Sequence, residues 1–256
     1  MPQTPPNPPS LPLVAVLSGA GLSTDSGIPD YRGPDGLWRR DPAAEKLVTL
    51  QDYRADTDVR RKAWLMRIET GVLDARPNAA HQALAALERT GIPLRVLTQN
   101  VDGLHQLGGV SPRKVLELHG TARETQCLAC HDRRDMADAL DRVRAGEPDP
   151  ACAVCGGILK PATVMFGEHL DPELLGRARA VAAACDLLIA VGTSLQVHPA
   201  AGLVDLALAG GAEVTIVNAE PTPYDPLAAL VVREPIGTAL PALLRRIAAD
   251  HGRVLE

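Results

Sequence analysis

The sequence predicts an α/β protein built on a parallel sheet, and three observations predict it. Short apolar runs recur along the chain with helical stretches between them. The first run empties into a glycine turn, Gly19-Ala20-Gly21. One internal segment, bounded by two Cys-x-x-Cys pairs, breaks the alternation.

Met1 to Pro12 holds six prolines and no apolar stretch of signal-peptide type, so it reads as an extended, disordered tail. Order begins at Leu13. Leu13-Val14-Ala15-Val16-Leu17 has the composition of a buried parallel strand. Ser18 to Thr24 follows as a turn leading into a short helix. Residues 39–90 read as mostly helical, with Asn78 as a cap and Gly91 as a stop for the helix carrying Leu84 and Leu87. Leu94 to Thr98 and Lys114 to Leu118 are the second and third strands. From Cys127 to Cys155 strand pattern is scarce and turn residues are common. Asp186 to Val191 and Glu213 to Val217 resume the strand theme, with a helix between them over Ala200 to Leu208. A last helix covers about Ala239 to Ala249. No internal repeat is visible.

Composition narrows the function. At 256 residues and 46% hydrophobic, the chain can bury a full core. A net charge of -5 and a pI near 5.8 argue against a general nucleic-acid or anionic-membrane binder. No run of 18 apolar residues occurs, so no membrane span is expected. Five cysteines without an export signal point away from a disulfide framework and toward a metal in the cytoplasm.

Cys127 and Cys130 form one pair, Cys152 and Cys155 the other, with 21 residues between them. Two pairs complete a tetrahedron of soft thiolates, which suits Zn²⁺ and leaves no open position for water. The site is therefore expected to be structural; two unrelated pairs or a redox pair are the alternatives. Cys185 leads into an apolar strand and reads as a small core residue.

The glycine turn alone is consistent with a phosphate-binding turn or a plain tight turn. Its third position is Thr24, where a dinucleotide fingerprint has glycine, and no acidic residue ends a second strand about twenty residues on. The other strand ends add weight. Thr98-Gln99-Asn100-Val101-Asp102-Gly103-Leu104-His105, His119-Gly120, Gly192-Thr193-Ser194 and Asn218 all follow apolar runs. Ligands of open α/β sheets bind outside the carboxyl ends of strands. Gly27-Ile28-Pro29-Asp30-Tyr31-Arg32 adds an arginine suited to phosphate and an aromatic ring.

With these motifs in this order, together with Phe166-Gly167-Glu168 and both cysteine pairs, the chain resembles the sirtuins, the NAD-dependent protein deacylases, in their bacterial form. The resemblance runs from about Val14 to Leu243. Departures are small: Tyr31, Val101 and Lys160 stand where the family more often has Phe, Ile and Arg.

The resemblance implies a Rossmann-like parallel-sheet domain (residues 13–38, 81–121 and 166–256) and a smaller domain. The smaller domain comprises a helical insertion (39–80) and a four-cysteine zinc-binding insertion (122–165). It implies that Gly19, Ala20, Gly21, Ser23, Thr24 and Arg32 hold the phosphates and neighbouring sugar of NAD, with Asp30 beside them and Tyr31 over the nicotinamide end. Gln99, Asn100, Val101 and Asp102 would line the nicotinamide pocket; Gly192, Thr193, Ser194, Asn218 and Ile236 would surround the adenosine half. Val164, Phe166, Gly167, Glu168 and Val197 would border the groove for an acyl-lysine peptide added as a strand.

The implied chemistry is attack of the acyl oxygen on the ribose carbon that bears nicotinamide. His119 would then act as general base, with Asn100 beside it in catalysis. The products would be lysine, nicotinamide and O-acyl-ADP-ribose, with NAD consumed. His105 would be scaffold.

Acyl preference is expected to favour acetyl. A branch of the family that removes succinyl and malonyl groups places Tyr and Arg three residues apart, aimed at the acyl carboxylate; here Trp64 and Arg67 occupy that spacing and would border the acyl group. Arg67 is expected to share a solvated basic face with Arg60, Arg61 and Lys62. Competing readings are a desuccinylase, a protein ADP-ribosyltransferase, a non-catalytic ADP-ribose-sensing module and an ordinary dehydrogenase. The partner is an acylated protein or peptide, and a monomer is compatible with the sequence.

Overall fold

The computed structural model describes residues 11–30 and 42–255. Its core is a six-stranded, all-parallel sheet in the order β3-β2-β1-β7-β8-β9. The strands are β1 (Val14–Ser18), β2 (Leu94–Thr98), β3 (Val115–Glu117), β7 (Leu187–Val191), β8 (Glu213–Val217) and β9 (Leu230–Val232). The chain winds outward from β1 to β3, then returns to β7 on the other side of β1. That reversal opens a crevice between β1 and β7.

Both faces of the sheet are covered, which is why its strands are mostly apolar. Alternate residues of β1 point to opposite sides. Val14 and Val16 join a cluster with Leu84, Leu87, Leu240 and Leu244, from the helices α3 (Ala79–Arg89) and α8 (Ile236–Asp250). Ala15 and Leu17 join Ala178, Ala182, Val204 and Ala207, from α6 (Pro172–Ala184) and α7 (Leu203–Ala209). Asn78 caps α3 as expected, accepting from the backbone of Ala80 and His81 while the His81 ring answers its own N–H.

A second, antiparallel sheet has the order β5-β4-β6, from β4 (Gly120–Cys127), β5 (Arg133–Asp135) and β6 (Leu159–Thr163). Against it pack α1 (Leu50–Ala55), α2 (Thr57–Glu69) and α5 (Met136–Arg144). The short α4 (Leu104–Leu107) follows β2. The Cys127–Cys155 segment is thus more regular than its sequence texture predicts. Met136, Ala139, Leu140 and Val143 give α5 a buried stripe at helical spacing, and Asp135 caps it. The stripe is only two turns long and flanked by cysteine turns, so it reads weakly. No described helix is long and apolar enough to cross a membrane.

Candidate functional site

At the crevice the loops after β1 and β7 touch backbone to backbone. Gly19 N donates to Val191 O, and Gly21 N to Gly192 O at 2.9 Å. A Cβ on Gly19 would lie 2.7 Å from Gly192 O, and one on Gly21 2.9 Å from Gly192 Cα. Gly192 is tighter still: its φ is +60°, and a Cβ there would sit 2.3 Å from Leu22 N. These glycines make two crossovers meet with no side chain between them. The chain then runs into a 3₁₀ helix, Ala20–Ser26.

The loop after β2 is sewn to both. Ser23 Oγ donates to Asp102 Oδ2 at 2.7 Å and accepts from Asn100 Nδ2 at 3.2 Å. Leu104 N donates to Asp102 Oδ1. Gln99 Nε2 donates to Thr193 Oγ1 at 2.9 Å. Ser23, Asn100, Asp102 and Thr193 are all buried, so these bonds fix the loops in a setting where an unmatched polar atom is costly.

His119 stands where β3 hands over to β4. Its Nδ1 lies 3.0 Å from Gln99 O. A carbonyl can only accept, so Nδ1 carries the proton and Nε2 keeps its lone pair. Burial holds this imidazole below the usual histidine pKa, against the pull of the Gln99 bond. The ring is therefore neutral at pH 7, with an acceptor nitrogen available. His105 is different. Its Nε2 is bonded to Ser18 Oγ at 2.8 Å beneath the strand ends, and burial pushes its pKa down to about 3.

The four cysteines 127, 130, 152 and 155 converge, with all sulfur atoms within 4.8 Å of one another. Cys127 and Cys155 Sγ are 3.5 Å apart, and Cys130 and Cys152 Sγ 3.7 Å. Four Zn–S bonds of about 2.3 Å in a tetrahedron require sulfurs about 3.8 Å apart. The donor set and its spacing fit Zn²⁺.

Comparison with known proteins agrees with this geometry. The family model described as the Sir2 family matches residues 19–199. The chain belongs to the Sir2 family. It is 68% identical to NAD-dependent protein deacetylase 2 of Streptomyces coelicolor, over 91% of this chain and 97% of that one. It is 42% identical to NAD-dependent protein deacylase 2 of Archaeoglobus fulgidus, over 91% and 90%. A Sir2 structure with a p53 peptide and NAD⁺ superposes with TM-score 0.79 at 32% identity, covering 94% of this chain and 93% of that one.

Ala20 and Thr24 lie on the 3₁₀ helix after β1, Ser194 follows Thr193, and Asn218 follows β8 with its Nδ2 bonded to Glu220 O. Asp30 is half-buried beyond that helix, and Ile236 opens α8 and packs on the core. Tyr31 and Arg32 lie outside the described residues, as does Met1 to Ser10 of the tail. Val164 N donates to His119 O at 2.8 Å, bringing the expected peptide segment to the histidine. Phe166 is exposed and pairs with Thr49, Gly167 is exposed, and Glu168 anchors the turn by accepting from Met165 N and Lys160 Nζ. Val197 is half-buried on the loop after β7.

Two expectations are corrected. Trp64 is wholly buried against Cys127, Cys152 and Met136, so it presents no surface to a substrate. Its i, i+3 spacing with Arg67 is real, but the tryptophan side of α2 faces the core. Nor is Arg60 solvated: it is buried, paired with Asp149 at 2.8 Å and bonded to Tyr53 O. Arg67 Nη1 donates to Ala63 O, and its guanidinium lies over the Trp64 ring. Only Arg61 and Lys62 are exposed as expected. Sequence reasoning missed Arg123, which grips the Asp102 loop; a glycine directly after Asp102 was its one visible trace.

Proposed function

We propose that this Sir2 protein removes acyl groups, acetyl foremost, from lysine side chains and consumes NAD in doing so, releasing nicotinamide and O-acyl-ADP-ribose. The observation that carries the reading is His119. It is a neutral imidazole held with Nε2 free, beside the loop that joins Ser23, Asn100 and Asp102.

NAD supplies an electrophilic ribose carbon with nicotinamide as leaving group. This chain's residues do the rest. Gly19, Ala20, Gly21, Ser23 and Thr24, with Arg32, would hold the phosphates; the glycines let the loops after β1 and β7 close on each other and so fix the turn that would meet them. Asn100 and Asp102 would hold the nicotinamide end, together with Gln99, Val101, Asp30 and Tyr31. Thr193, Ser194, Gly192, Asn218 and Ile236 would take the adenosine half. Val164, Phe166, Gly167, Glu168 and Val197 would receive the peptide. His119 Nε2 would accept a proton from a ribose hydroxyl; its depressed pKa keeps it in base form at pH 7.

Cys127, Cys130, Cys152 and Cys155 would hold one Zn²⁺, which with four thiolates has no position for substrate and serves to stabilise the fold. Reduced thiolates suit a cytoplasmic setting. The proposed division into residues 13–38, 81–121 and 166–256 against 39–80 and 122–165 is supported by the presence of two separate sheets.

Mass spectrometry of products after mixing protein, NAD and acyl-lysine peptides tests the reading. O-acetyl-ADP-ribose and free lysine are expected. Label from NAD retained on protein would point to ADP-ribosyl transfer instead, and a change in nicotinamide absorbance to hydride transfer.

A further inference from the structure

β4 belongs to the small sheet, yet it begins by bonding the large sheet's loop. Ala122 N donates to Val101 O at 2.7 Å, and Arg123 Nε donates to Asp102 O at 2.7 Å. The arginine side chain runs directly over Gly103. A Cβ there would lie 2.6 Å from Arg123 Nε and 2.9 Å from Cδ, and φ is +71°. The left-handed backbone favours glycine at 103, and the arginine side chain occupies the space that the missing Cβ leaves. Arg123 is half-buried, and its Nη2 is buried with no hydrogen-bond partner, so the bond from Nε to the Asp102 carbonyl anchors the group.

That carbonyl belongs to a residue whose carboxylate is already committed to Ser23 and to Leu104 N. β4 in turn pairs with β6 through Gln126 and Lys160, and Lys160 Nζ bonds Thr163 O and Glu168 beneath the segment carrying Val164 and Phe166. One side chain therefore joins the strand bordering the acyl-lysine groove to the residue at the nicotinamide end.

We propose that Arg123 is a positioning residue. Its guanidinium holds the Asp102 main chain against β4, so the nicotinamide end of the pocket keeps its shape only while the small sheet is docked. This rests on the NAD-dependent deacylase reading above. An arginine donor on a backbone carbonyl is worth enough to shift an equilibrium about tenfold when removed.

The test is steady-state kinetics of the full chain with an acetyl-lysine peptide, comparing wild type, Arg123→Met and Arg123→Lys. Zinc content and thermal midpoint are measured alongside. Arg123→Met is expected to raise KM for NAD about tenfold and to weaken inhibition by nicotinamide by a similar factor, with peptide KM within about twofold. Arg123→Lys, whose ammonium reaches the same carbonyl, should recover part of the loss and serves as the readout if the methionine variant does not fold. An unchanged KM for NAD in folded Arg123→Met, or in Arg123→Lys where the methionine variant does not fold, overturns the proposal. So does a uniform fall in every constant with lost zinc or a lowered midpoint, which would mark Arg123 as merely structural. An inactive wild type would refute the functional reading itself.

Discussion

The two sheets of this protein are held together by opposite means. The large sheet has an apolar layer on each face, and its functional edge is a junction of bare backbone where Gly19, Gly21 and Gly192 meet. The small sheet has few apolar residues to bury and uses polar clamps: the cysteine cluster, Arg60 on Asp149, Tyr53 Oη on Leu159 O, and Lys160 on Glu168. The first design gives rigidity through close packing, the second through a few strong local links. Under the proposed function, the phosphates of NAD would sit on the first and the peptide groove would lie against the second.

The sharpest way to break this comparison is to put a side chain into the junction. Gly192→Val combines a left-handed backbone with a Cβ 2.3 Å from Leu22 N. It is expected to cost on the order of 3 kcal/mol and to eliminate measurable NAD binding. Calorimetric titration with NAD reads the second effect, denaturant unfolding the first. A variant that binds NAD like wild type would show that the junction is not the rigid element described.

The converse experiment attacks the small sheet. Cys152→Ser should lose zinc and nearly all activity while leaving much of the helical circular dichroism, because the core around β1 does not depend on the metal. Elemental analysis of active wild type should give about one zinc per chain, as expected for a closed four-thiolate site; active protein without zinc would remove the metal from the account.

His119 lies where the two sheets meet, and its loss should be smaller but more selective. His119→Ala should lower deacylation by about 10²–10⁴-fold while NAD still binds. Nicotinamide exchange, which reports the first step, should fall less than product formation. Equal falls in both would place His119 earlier in the reaction or make it structural.

The difference between the sheets also explains what could be read in advance. β1 and β7 are nearly continuous apolar runs, and β2 and β8 are largely apolar, because helices cover both sides, so they stand out in the sequence. Their polar tips stand out for the same reason, and Ser23, Asn100, Asp102, His119 and Thr193 do converge. The small sheet's strands carry polar residues: β4 is Gly-Thr-Ala-Arg-Glu-Thr-Gln-Cys, whose pairing no local pattern reveals. The inward turn of Trp64 and the pairing of Arg60 with a residue 89 positions away are long-range facts of the same kind.

Acid should loosen the large sheet in a defined window. Burial, with the neighbouring imidazole of His81, pushes His105 down to about 3; burial pushes His81 to about 4 against the attraction of Asp102. In the unfolded chain both titrate near 6.5. Between these values the unfolded state binds more protons, so their contribution is complete above about pH 6.5 and declines as pH falls toward 4. Urea midpoints at pH 7 and pH 5 should differ, and the gap should narrow in His105→Gln. An unchanged gap would assign the acid sensitivity to carboxylates.

The smallest expected effect concerns acyl choice. A carboxylated acyl group needs a cation in the groove, since an unpaired buried carboxylate is costly. Arg67 is the residue whose spacing suggests one. Here its guanidinium lies 5.6 Å from the Trp64 ring centroid, and Nη1 is bonded to Ala63 O. Recruiting it would mean giving up both contacts, and the phenol that would accompany it is replaced by a tryptophan turned into the core. Acetyl-lysine should therefore be turned over better than succinyl-lysine, and Arg67→Met should change acetyl kcat/KM by less than about threefold, under 1 kcal/mol. Matched acetyl and succinyl peptides decide it. A succinyl preference of about tenfold, roughly 1.4 kcal/mol, that vanishes in Arg67→Met would show that the arginine swings from Trp64 into the groove. It would also show that the small sheet's polar links, unlike the glycine junction, are made to be exchanged during catalysis.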